Sequence, residues 1–113
     1  MSTKFSMTRD INGYNGFGLF PADDKKRMIL LQNVEQNFVV PSTYDNWLII
    51  FSYQPGSSVW IGFNTTATLP AGTVEGTDCE LNPVGRQLKA GDTVSLITGD
   101  SGGDQIGAIF YAL

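Results

Sequence analysis

The closing stretch "LKAGDTVSLITGDSGGDQIGAIFYAL", Leu88–Leu113, decides how the rest of the chain is read. Two of its segments, Asp92–Thr98 and Gln105–Leu113, are rich in β-branched and aromatic residues, which fit a pleated, half-buried surface. Val94 and Leu96 share one face by the two-residue period of a strand. Between the segments, Gly99–Asp104 supplies only glycine, aspartate and serine. Glycine reaches positive φ without a Cβ clash, and Asp and Ser bond nearby backbone groups, so this is turn chemistry. The pattern predicts a hairpin between the final two strands.

The same loop spells Gly99-Asp100-Ser101-Gly102-Gly103, the letters around the nucleophilic serine of trypsin-like proteases. That serine is inert until a histidine takes its proton. This chain has no histidine. Its lysines, Lys4, Lys25, Lys26 and Lys89, sit in polar surroundings that give no reason for a depressed pKa, so none replaces the missing base. The five letters read as a turn.

At 113 residues the chain is one domain with a modest core. A net charge of −4 argues against nucleic-acid binding, which needs a basic surface. The one basic run, Lys25-Lys26-Arg27, follows Asp23-Asp24 and reads as a solvated turn. Cys79 is the sole cysteine, so neither an intrachain disulfide nor a thiolate zinc site is available. Asp100 and Asp104 lack the spacing of an EF-hand calcium loop. No cofactor and no metal are expected. The longest apolar run, Trp47–Phe51, is too short to span a bilayer, and "MSTKFSMTRD" has no apolar run like a signal peptide's, so no membrane partner is expected.

Residues 1–26 form a distinct segment in which Asn and Gly alternate with Tyr14, Phe17 and Phe20, read as an irregular aromatic arm. From residue 27 to 113 the signals are consistently those of short strands. "RMILLQNV", "QNFVVPS", "NWLIIFSY" and "VWIGFN" come first, then a Thr/Ala/Gly-rich excursion with one short strand near Thr73–Val74, then "RQLKAG" and the closing pair. Seven to eight strands with frequent turns and no helix imply an all-β, antiparallel, jelly-roll-like sandwich.

Chemistry is sparse. Asp45, Asp78, Glu75 and Glu80 fall in predicted loops and read as solvated acids rather than a facing catalytic pair. Trp47 and Trp60 offer an aromatic platform for a sugar ring, the basis of an alternative reading as a carbohydrate- or receptor-binding module. "WLIIF" is apolar on both faces, so its outer face needs a cover, from this chain or another.

"SVWIGFNTTATLPAGT", "ELNPVGRQL", "GDTVSLIT" and "AIFYAL" together resemble small all-β virion proteins of tailed bacteriophages, some of which are capsid decoration proteins. The resemblance covers roughly Met28–Leu113 and carries no catalytic or ligand residue. It implies a non-enzymatic virion protein, made in the host cytoplasm, that binds copies of itself as a dimer or trimer and the major capsid protein. Such proteins reach neighbours through exposed arms, which makes Phe5, Arg9, Tyr14 and Phe17 the expected contacts here.

Overall fold

The computed structural model describes residues 2–9, 11–12, 15–72, 76 and 78–113, with backbone only for 15–17. The described chain is all-β, with ten strands: β1 (Met7–Arg9), β2 (Asn15–Leu19), β3 (Asp24–Leu30), β4 (Gln36–Val39), β5 (Asn46–Tyr53), β6 (Val59–Phe63), β7 (Cys79–Leu81), β8 (Gly85–Lys89), β9 (Thr93–Thr98) and β10 (Asp104–Ala112). Two four-stranded antiparallel sheets, ordered β3-β10-β5-β8 and β4-β9-β6-β7, pack as a sandwich. The arm is not irregular throughout, because β1 and β2 pair as a small antiparallel sheet. Lys25-Lys26-Arg27 is no turn but the middle of β3, so the sandwich begins earlier than residue 27. The strand expected near Thr73–Val74 lies outside the described residues, and Glu80 belongs to β7 rather than a loop.

The core follows from alternation. In β10, Ile106, Ala108, Phe110 and Ala112 turn inward and are buried. Their register partners on β5 include Phe51, Ile49 and Trp47, also inward. The opposite sheet contributes Phe38, Val59, Ile61, Val94 and Leu96 to the same cluster. Phe110 meets Phe38 of the other sheet edge-on at 5.8 Å between centroids, and Trp47 at 6.4 Å, the T-shaped geometry that the ring quadrupoles favour. Trp47 satisfies its indole N–H on the carbonyl of Tyr44 at 3.1 Å.

The corner between β9 and β10 departs from the sequence reading. β9 pairs with β4 and β6, whereas β10 pairs with β3 and β5, so "TGDSGG" passes from one sheet to the other rather than making a hairpin. Gly102 (φ 84°) and Gly103 (φ 79°) take left-handed conformations. A Cβ on Gly103 would lie 2.1 Å from the Leu30 carbonyl oxygen, which excludes every other residue at that position. Asp100 fixes the corner by accepting the Ser58 N–H at 2.8 Å. At another open side, Arg86 of β8 donates to both carboxylate oxygens of Glu80 of β7, at 2.5 and 3.2 Å, joining the two sheets.

Replacing Gly103 with Ala should therefore cost about 3 kcal/mol or more, from overlap plus backbone strain. Gly102→Ala, with open space around its Cβ, should cost only about 1–2 kcal/mol. Denaturant midpoints of the two variants check the difference. The Arg86 hydrogen bonds hold the Glu80 pKa below its ordinary 4.5. A carboxyl depressed in the folded state stabilises it at neutral pH, and that contribution fades as pH falls below about 4.5. Glu80→Gln should accordingly flatten the acid side of a melting-temperature-against-pH curve.

Candidate interaction surface

The arm is anchored to the sandwich near both of its ends. Residues 3–5 run beside the end of β10, where the Phe5 N–H donates to the Ala112 carbonyl at 2.7 Å and the Ala112 N–H to the Thr3 carbonyl at 2.8 Å. Phe5 lies edge-on to Tyr111 at 6.2 Å. The Tyr111 hydroxyl donates to the Phe20 carbonyl at 2.6 Å, which pins the far end of the arm to the same ring. Lys4 sits over the Tyr44 ring at 5.3 Å, and the Asp23 N–H donates to Thr3 Oγ1 at 2.9 Å. Tyr111 is thereby buried although it faces away from the core. Part of the outer apolar surface expected to need a cover is covered by this chain's own arm.

Between these clasps the β1–β2 hairpin belongs to neither large sheet, and the molecule measures 52 × 29 × 25 Å. Ile11, at its turn, is fully exposed, and Met7 and Phe20 are also exposed. Of the four contacts expected in the arm, Phe5 is half-committed to Tyr111 and 38% exposed, and Arg9 is exposed on β1. Tyr14 and the Phe17 side chain lie outside the described residues. Ile11 escaped the sequence reading because a single isoleucine in "RDING" carries no periodic signal.

The outer faces of the two sheets differ. On β4-β9-β6-β7, the segment after β6 folds back as a roof, with Ala67 and Leu69 packed on Trp60, Cys79 and Ile97. The roof sits so close that a Cβ on Gly62 would lie 2.9 Å from the Thr65 carbonyl oxygen. Ser95 ties it down, accepting the Ala67 N–H at 2.9 Å and donating to Glu35 at 2.7 Å. Trp60 is thus half-covered outside one sheet, while Trp47 is fully buried inside the other. The structure places the two indoles in separate clusters on opposite sides of the sandwich's layers rather than side by side.

Around the protease-like letters, Ser101 is exposed at the tip of the corner, and hydrogen bonds from the Asp104 side chain and the Ser58 N–H hold the Asp100 carboxyl below its ordinary pKa. Tyr53 donates its hydroxyl to the Pro83 carbonyl, and burial pushes its phenol pKa far above the ordinary 10.0, so it stays protonated at neutral pH. Among the described residues, no three carboxylate or cysteine side chains are grouped as a metal would require.

Tyr111→Phe should remove the arm's clasp to Phe20 at a cost of about 1 kcal/mol, the usual net worth of one hydrogen bond. Limited proteolysis should then cut within residues 6–20 sooner, while amide exchange in β5 and β10 stays slow. Comparison of the chain with protein-family models, with curated proteins and with solved structures found no match.

Proposed function

We propose that the chain is a non-enzymatic structural protein of a bacteriophage virion, a capsid decoration protein that reinforces the shell by bridging subunits. We also read the sandwich as a jelly roll. That reading is supported by the orders β3-β10-β5-β8 and β4-β9-β6-β7, in which every link from β3 to β10 except β6-to-β7 crosses between sheets. Jelly rolls occur in viral capsid and lectin domains alike, so topology alone names no function.

The observation that carries the proposal is the hairpin arm. The arm is clasped at both ends, and between the clasps Ile11 presents a fully exposed apolar side chain. Burying such a residue in a partner gains about 25 cal/mol per Å². One side chain is a weak contact, yet many copies on a lattice sum it, and each copy then braces a junction between shell subunits. The expected partners are other copies of this chain and the major capsid protein.

Ile11→Asp should leave the melting temperature unchanged, because the residue is fully exposed. It should lower co-sedimentation with empty shells of the encoding phage by about tenfold. A wild-type protein that stays monomeric in sedimentation and never pellets with shells overturns the proposal.

A further inference from the structure

The outer face of the β3-β10-β5 strands carries an open groove of about 750 Å³ that no described segment roofs. Its origin is one cross-strand row. Arg27, Gly107 and Ser52 are register partners on β3, β10 and β5, and the middle one has no side chain. In the adjacent row, Ile109 walls the groove with apolar surface beside a second cation, its register partner Lys25. Lys25 and Arg27 are exposed, and among the described residues the groove lining includes no carboxylate. Asp24 alternates to the opposite face, where it lines a different depression with Pro41 and Tyr44.

This places two of the chain's seven cations, Lys25 and Arg27, on the groove face of a protein with eleven acids, while Lys26 alternates to the other side with Asp24. Lysines along an open edge strand also deter edge-to-edge pairing, but that role does not require a hollow row beside them. Two copies meeting face to face here would set cation against cation, which disfavours a symmetric dimer through this face. Resting on the reading of the chain as a shell-binding protein, we propose that the groove receives an acidic, extended segment of the shell partner. Its carboxylates meet Lys25 and Arg27, and an apolar side chain settles on Gly107 against Ile109.

The test uses the full chain, ¹⁵N-labelled, titrated with a capped heptapeptide of alternating glutamate and valine. Amide shifts are expected at residues 25–27, 52–54 and 105–109. Lys25→Glu combined with Arg27→Glu should weaken binding at least about tenfold. Gly107→Val, which fills the floor and leaves every charge in place, should do the same, with spectral dispersion reporting that both variants fold. Shifts absent from those residues, or unchanged affinity in both variants, overturn the groove. So does equal binding of a short oligothymidylate or of the lysine–valine heptapeptide, which would mark a site without preference for acidic protein. Shell co-sedimentation separates this inference from the function: if the charge-reversed chain pellets as wild type does, only the groove fails. If wild type never pellets yet the peptide binds in the groove, only the shell assignment fails.

Discussion

Phe110 is where the two sheets are held to each other. It projects from the central strand of one sheet, touches Phe38 of the other edge-on, and leans on Trp47 from its own neighbour strand. Tyr44 extends the chain of rings outward, packed at 5.9 Å against Trp47. Rings in this geometry fix angles as well as distances, so the cluster sets the spacing of the layers. Everything beyond it, the roof on one face and the groove on the other, is placed relative to that aromatic spine.

The surroundings are built by close approach at positions where a side chain would not fit. Gly103 lets the last corner pass against Leu30, and Gly62 lets the roof lie on β6. Asn64 turns at φ 59°, and its side chain accepts the Thr93 N–H at 2.9 Å, so the start of the roof is stitched to β9. Asn82, at φ 47°, plays the matching part by accepting the Val59 N–H at 2.8 Å. Asparagine tolerates the left-handed region and caps a neighbouring strand at once, which accounts for both.

The strands that carry the core were legible, because Asn46–Tyr53, Val59–Phe63, Thr93–Thr98 and Asp104–Ala112 contain dense β-branched and aromatic runs. β7 was not, being three residues held by pairing with β6 rather than by composition of its own. Local turn chemistry at Gly99–Gly103 announced a reversal but could not say whether the chain returns to the same sheet. That depends on β10 finding β3 and β5, far away in sequence. The two tryptophans read alike as letters and separate only when the sheets are assigned. The groove was invisible for the same reason: Arg27, Ser52 and Gly107 become a row only through register.

The place of β10 also governs when the molecule is able to exist. β3 and β5 are hydrogen-bonded into one sheet through it, as β4 and β6 are through β9. A nascent chain leaving the ribosome therefore carries most of its strands with gaps where their neighbours belong. β5 and β8, and β6 and β7, can pair early, but the joining of each large sheet has to wait for β9 and β10, and distant pairings of this kind are slow to form. Until then the greasy run at Trp47–Phe51 is open to strangers, so the yield of folded protein depends on what shields that segment during synthesis.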